Sequence, residues 1–305
     1  MPSMKSESQT SASSPSVLKA YFLAARPRTW IASLSPVCIG GAIAHSEQPL
    51  NFPIFFLTLL FSLLIQIGTN YANDYFDFFK GADTTARKGP QRATQSGWIP
   101  PHHVFLATLT IFLTAFLIAI PLMIAAGLWS LPLAVLCIAC GLLYTGGPTP
   151  FGYLGLGELF VLLFFGPIAA CGTYFLQTET LTFPVFIASL APGFLSCSLL
   201  IANNLRDETT DRLANKRTLI VRFGPRFGAY EYTLSILFAA LIPLLLIAFF
   251  DAPLSLLRAT FILLIAIPSI RRVFTFEDPL QLLPVLKDSA ILLFFYTALF
   301  CWQIN

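Results

Sequence analysis

Charged side chains are scarce in this chain. Asp, Glu, Lys and Arg make up 11% of its 305 residues, with 15 carboxylates and 18 basic groups, against about 25% charged residues in a soluble domain. Hydrophobic residues fill 56% of the sequence and the mean hydropathy is +0.75. Charge this sparse cannot cover a water-exposed surface, so lipid must cover the apolar one, as in a polytopic membrane protein. The net charge of +3 says little until the charges are located, and no nucleic-acid partner is expected.

Metal-binding and redox patterns are missing as well. The three histidines, His45, His102 and His103, fall between apolar runs, and no zinc spacing occurs. Six cysteines lie inside apolar runs. Cys137 and Cys140 have CxxC spacing, but within an uncharged helical segment and with no partner pair. Small apolar helix residues describe them better than redox or metal chemistry does. Residues 1–16 are Ser-rich and read as a disordered tail. No basic stretch followed by a cleavable apolar core is apparent, so no signal peptide is assigned. Residues 17–305 form one transmembrane domain.

What is present is apolar length. A bilayer-crossing helix needs about 20 apolar residues, and nine such runs can be drawn: 22–45, 52–76, 103–125, 129–145, 153–176, 183–205, 229–250, 254–272 and 284–304. The expected fold is all-α, with nine transmembrane helices. Seventeen of the 18 Lys and Arg precede or open span one, lie in the connections two–three and six–seven, or flank the connection eight–nine; Arg258 is the exception. The positive-inside rule then puts the N-terminus in the cytoplasm and the C-terminus outside. With that topology spans two, four and six end on the cytoplasmic side, where spans one and five begin. Arg26, Asp74, Asp77, Tyr144, Glu158, Asn203 and Asp207 share one depth and are expected to surround one cytoplasm-facing cavity.

Two acidic clusters sit where apolar runs end: Asn73, Asp74 and Asp77 with Asp83, and Asn203, Asn204 and Asp207 with Asp211. Carboxylates at a membrane boundary cost free energy unless they bind something. On span two, Gln66, Asn70, Asn73, Asp74 and Asp77 follow offsets that share one helix face; on span six, Asn203, Asp207 and Asp211 recur every four residues. Mg²⁺ takes oxygen ligands, commonly one or two carboxylates completed by substrate phosphates. Asp74, Asp77, Asp83, Asp207 and Asp211 are therefore the candidate metal ligands for a bound diphosphate. Lys88, Arg92, Lys216 and Arg217 are the candidate counter-charges for its oxygens. Ordinary juxtamembrane ion pairing would account for Asp83 or Asp211, but not for Gln66, Asn70 and Asn73 stacked on an apolar helix. Glu158, within span five, either serves the chemistry or bonds backbone exposed by Gly152, Gly155 and Gly157. Tyr144 is a candidate site residue or an interfacial aromatic.

These residues carry a resemblance. Asn73-Asp74-x-x-Asp77-x-x-x-Gly81-x-Asp83, the loop from Gly89-Pro90-Gln91-Arg92-Ala93 to Ser96-Gly97, and Asn203-Asn204-Leu205-Arg206-Asp207-x-x-x-Asp211 through Lys216-Arg217-Thr218 resemble the UbiA superfamily of membrane prenyltransferases. Tyr144-Thr145-Gly146-Gly147-Pro148 and Gly152-Tyr153-Leu154-Gly155-Leu156-Gly157-Glu158 look like its naphthoate branch; Arg26-Pro27 is a weaker match. The match runs over about residues 20–228, and the last three spans agree in hydropathy alone. The resemblance implies a nine-helix bundle in the bacterial inner membrane that binds Mg²⁺ and a polyprenyl diphosphate. The chain would be transferred to 1,4-dihydroxy-2-naphthoate with loss of diphosphate and CO₂, giving demethylmenaquinone. Asp74, Asp77, Asp207, Asp211, Tyr144 and Glu158 would be catalytic. Arg26, Gln66, Asn70, Asn73, Lys88, Arg92, Asn203, Asn204, Lys216 and Arg217 would bind substrates. A phytyl donor or a 4-hydroxybenzoate acceptor is the near alternative. A transporter is the distant one, although its site would lie nearer the bilayer midplane.

Overall fold

The computed structural model describes residues 15–84 and 88–304. Most of the expected tail, and Arg87 of the first basic loop, lie outside the described residues. Among the described residues every regular element is helical. Lipid offers no water to backbone groups, so an embedded chain must close its hydrogen bonds within its own segment. The α-helices in chain order are α1 (Val17–Ala24), α2 (Trp30–Glu47), α3 (Phe52–Phe79), α4 (Pro101–Ala126), α5 (Ser130–Leu143), α6 (Gly157–Leu163), α7 (Ala169–Thr178), α8 (Phe183–Leu213), α9 (Leu219–Phe223), α10 (Pro225–Phe250), α11 (Ile262–Thr275) and α12 (Leu283–Ile304).

Seven helical segments of the described residues are long and apolar enough to cross a membrane: α3, α4, Gly157–Thr178, α8, α10, Leu254–Thr275 and Pro279–Ile304. Large apolar side chains such as Leu113, Ile124 and Leu264 stand exposed on them, the surface that lipid covers in an integral membrane protein. The expected spans 22–45 and 129–145 depart from this pattern. The first is broken near Arg26, because Pro27 lacks an N–H and disfavours a helical residue before it; α2 proper begins at Trp30. The fourth is only the 14-residue α5, about 21 Å long.

Two details position the interior. α6 and α7 join through a π-helical segment, Phe164–Ile168, bent at Gly166 and Pro167. A Cβ on Gly166 would lie 2.9 Å from the Ser189 carbonyl oxygen of α8, and one on Gly193 would lie 2.8 Å from the Leu162 carbonyl oxygen. The bend therefore presses backbone against backbone, as small residues permit between membrane helices. α8 is the most enclosed span, with 67% of its apolar window buried. It also runs on to Leu213, eight residues past the expected end of the apolar run, so the expected helical recurrence of Asn203, Asp207 and Asp211 falls within one helix and Arg206 is helical rather than in a loop.

Candidate active site

The polar end of α3 is the assembly point. Gln66 donates to the Thr29 hydroxyl (3.0 Å) and Asn70 to the Ala25 carbonyl (3.0 Å), tying α3 to the start of α2. Asn73 accepts from the Thr145 hydroxyl (2.8 Å) just past α5. Tyr153, in the 3-10 turn before α6, donates to Asp77 Oδ1 (2.8 Å), and its carbonyl accepts the backbone N–H of Arg217 (3.0 Å) beyond α8. The expected polar ends of these segments thus meet at one end of the bundle.

Each expected metal ligand has a partner from the chain. Asp74 accepts the backbone N–H groups of Ala93 and Thr94 (3.1 and 2.9 Å), strapping the 88–100 loop onto α3. Asp83 pairs with Arg92 (3.3 Å) and Asp211 with Lys216 (3.2 Å). Asp207 takes a two-pronged bond from Arg206, Nε to Oδ1 (2.7 Å) and Nη2 to Oδ2 (2.6 Å). The five carboxylates do not gather into one shell: among the described residues no three His, Cys, Asp or Glu are grouped to hold a metal ion.

The two clusters nevertheless share their counter-charges. Burial works against the charge of Arg92, but Asp83, Asp74 and Asp77 of the first cluster and Asp207 of the second outweigh it and raise its pKa. For Lys216 burial is again overcome, by Asp211, Asp77 and Asp207, and its pKa lies above the usual lysine range. Lys216 Nζ also sits 5.9 Å from the centre of the Tyr153 ring, with Lys80 Nζ at 5.2 Å, within reach of a cation–π attraction.

Beside this network lies a cavity of about 380 Å³. Its polar lining is cationic: Arg26, Arg28, Arg92 and Arg206 border it, with Gln66, Asn70, Asn73, Asn203 and Tyr144, and no carboxylate is among its lining residues. The acidic groups stand behind this lining rather than on it. Lys88, Asn204, Lys216 and Arg217 also fall outside it. Asn204 instead donates to Glu158 Oε1 (2.9 Å), and Glu158 is itself set back from the cavity, its carbonyl accepting from Cys197. Tyr144 does border the cavity, and a Cβ on Gly157 would lie 3.0 Å from its hydroxyl. The tyrosine therefore stands beside the start of the Glu158 helix. Arg26 holds a left-handed backbone (φ 51°), strained by about 1–3 kcal/mol for a non-glycine residue. A second, apolar cavity of about 140 Å³ shares Ile65, Gln66, Phe164 and Phe165 with the first and extends to Trp129 and Leu176.

Four residues escaped the sequence reading as site groups. Arg206 reads as a loop charge because the apolar run of span six ends at residue 205, yet its long side chain folds onto Asp207. Tyr153 read as motif filler, and Arg28 as a topology charge. Glu231, on α10, holds a buried carboxylate oxygen with no hydrogen-bond partner among the described residues; a lone Glu early in an apolar run gave no signal.

The donor set fits a hard cation. Both clusters offer carboxylate oxygens, and Asp211 Oδ2 is buried with no hydrogen-bond partner among the described residues. An acceptor atom in that position costs free energy until a cation or donor meets it. The arrangement is two carboxylate clusters that share Arg92 and Lys216 as counter-charges, beside an arginine-rimmed cavity with an apolar extension.

Comparison with known proteins agrees. Residues 33–282 match the UbiA prenyltransferase family. The chain is 41% identical over 201 residues to a 1,4-dihydroxy-2-naphthoate octaprenyltransferase of Mycobacterium tuberculosis, covering 66% of this chain and 68% of that protein. It is 32% identical to the enzyme of the same name from Haemophilus influenzae, over 93% of this chain and 94% of that one. A solved structure of a UbiA homolog from Archaeoglobus fulgidus bound to DMAPP and Mg²⁺ superposes with a TM-score of 0.61 at 16% identity, over 92% of this chain and 99% of that one. With motifs, helical frame and near full-length relatives in agreement, the chain belongs to the UbiA prenyltransferase family.

Proposed function

We propose that this protein transfers a polyprenyl chain from its diphosphate to 1,4-dihydroxy-2-naphthoate, releasing diphosphate and CO₂ and forming the quinol form of demethylmenaquinone. The observation that carries the reading is its likeness, across nearly its whole length, to a protein named for that acceptor. The cavity supports it: an anionic aromatic acid and a diphosphate both suit a rim of four arginines, and the apolar extension suits an isoprenoid chain. Relatives named for the octaprenyl donor and the naphthoate acceptor favour this reading over a phytyl donor, a 4-hydroxybenzoate acceptor or a transporter.

In this reading Asp74, Asp77 and Asp83 of one cluster and Asp207 and Asp211 of the other would hold Mg²⁺, a hard cation that takes carboxylate oxygens. The metal supplies positive charge that makes diphosphate a competent leaving group. Arg92 and Lys216, charged between the clusters, donate to the remaining diphosphate oxygens with Lys88 and Arg217. Gln66, Asn70, Asn73 and Asn203 present amides to the substrates from the cavity wall, and Asn204 acts on them through Glu158, to which it donates. Arg26 takes the naphthoate carboxylate. Tyr144, on the cavity wall, and Glu158, set back beside it, orient the ring or take the hydroxyl proton whose loss makes the ring a stronger nucleophile. The apolar walls shelter the allylic cation from water.

The bundle comprises nine membrane helices, α2 and α5 included, in a bacterial cytoplasmic membrane with the N-terminus and the cavity mouth on the cytoplasmic side. The charge bias supports this. Cysteines introduced at Thr84 and Leu213 should resist an impermeant thiol reagent in intact cells and react once the cells are permeabilised; labelling from outside would refute the orientation. For the reaction, detergent-purified protein is incubated with labelled polyprenyl diphosphates, Mg²⁺ and either dihydroxynaphthoate or 4-hydroxybenzoate. Labelled demethylmenaquinol, recovered as the quinone after oxidation in air, is the expected product. Prenylated hydroxybenzoate instead would overturn the acceptor assignment.

A further inference from the structure

Arg206 is only 1% exposed, among the largest fully buried side chains of the protein, and it borders the cavity. Its fork is two-thirds used. Nε and Nη2 bond Asp207 at 2.7 and 2.6 Å, and Nη2 also reaches Asn203 Oδ1. Nη1 is buried and has no hydrogen-bond partner among the described residues. Guanidinium nitrogens donate and never accept, and an unmet buried donor costs about 1–3 kcal/mol. Asp207 already balances the Arg206 charge, so what remains is a demand for an acceptor atom. The surroundings fix the class of that acceptor: Arg26, Arg28 and Arg92 line the same cavity, and no carboxylate does. A positive rim with one buried donor selects an oxyanion over a neutral carbonyl or hydroxyl.

We infer that Arg206 is a substrate-binding residue whose Nη1 donates to an oxyanion seated in the cavity, while its other two nitrogens hold Asp207 in place. The inference rests on the proposed reaction, which offers two such groups, the carboxylate of the aromatic acceptor and the diphosphate of the prenyl donor. The Asp207 bond makes one side chain serve both as anion donor and as brace for the second acidic cluster. Losing Nη1 while keeping a cation on Asp207 should then weaken binding without unfolding the helix.

The test compares native protein with R206K, which leaves an ammonium for Asp207 but removes the fork. Dissociation constants are measured for 1-hydroxy-2-naphthoate, for 1-naphthol as its carboxylate-free counterpart, and for inorganic diphosphate with Mg²⁺. The expected result is a melting temperature near native and a loss of about tenfold or more for one oxyanion, with 1-naphthol unchanged. Weakened hydroxynaphthoate identifies the acceptor carboxylate as the ligand, and weakened diphosphate identifies the donor. If R206K binds both oxyanions like native protein, or loses 1-naphthol equally, the inference is overturned while the proposed reaction stands. Native protein that binds neither oxyanion overturns both. Should R206K fail to fold, R206Q, whose single amide nitrogen can still donate to Asp207 but which has no second nitrogen for the oxyanion, makes the same comparison against native protein.

Discussion

Tyr153 donates its hydroxyl hydrogen to Oδ1 of Asp77 at 2.8 Å, joining the short turn before α6 to the acidic end of α3. The same residue has Lys80 and Lys216 over its ring, and its backbone carbonyl holds Arg217. One side chain thus links the first acidic cluster to the basic stretch that follows the second.

Y153F tests that linkage. The ring and its two lysines stay, and only the hydrogen bond is lost, so stability should fall by about 0.5–1.5 kcal/mol. Turnover should fall further than stability, because Asp77 loses the group that fixes its rotamer. Thermal melting and the prenyl-transfer rate, measured on one preparation, separate the two; an unchanged rate would reduce Tyr153 to scaffolding.

Asp77 and Asp207 should respond differently to Asn. In D77N the Tyr153 hydroxyl still finds an amide oxygen, so folding should survive while the rate drops by about a hundredfold or more, as expected when a charge needed by the leaving group is removed. In D207N the buried Arg206 loses its carboxylate, and stranding one member of a buried pair costs about 3–5 kcal/mol. D207N should therefore lose both melting temperature and activity. Near-full activity of D77N at low Mg²⁺ would sink the two-cluster arrangement.

Glu158 accepts from Asn204 at 2.9 Å, a bond that the amide oxygen of E158Q can still accept. If Glu158 only fastens α6 to α8, E158Q should turn over normally. If it serves the ring chemistry, prenyl diphosphate binding should persist while naphthoate prenylation is lost.

Lys216 gives a pH signature. Burial alone would lower its pKa, but Asp211, Asp77 and Asp207 raise it. A cation with a raised folded-state pKa stabilises fully below its unfolded value, about 10.4 for lysine, and loses that contribution as pH climbs through the folded value. The difference in melting temperature between native protein and K216Q should thus be constant from neutral pH to about 10 and shrink only above it. A difference that vanishes between pH 7 and 9 would contradict a cation held by both clusters.

Much of this was legible in the chain before folding. Hydropathy marked the membrane segments, because a lipid-facing helix must be apolar over its whole outer surface. The stripe from Gln66 to Asp77 marked the working face of α3, because polar groups are costly in lipid unless partnered. The ends of α3, α5 and α8 meet where strict alternation of span direction puts them. Tertiary structure decided what periodicity cannot carry. Whether a polar side chain faces the cavity or a neighbouring helix depends on contacts far apart in sequence: Asn204 turned to Glu158, and Gln66 and Asn70 to the start of α2. The acidic clusters lie behind an arginine rim because the loop strapped to Asp74 carries Arg92 over α3. Arg206 borders the cavity as a buried side chain because α8 continues past its apolar stretch and packing closes over the guanidinium, which no pattern of neighbouring letters specifies.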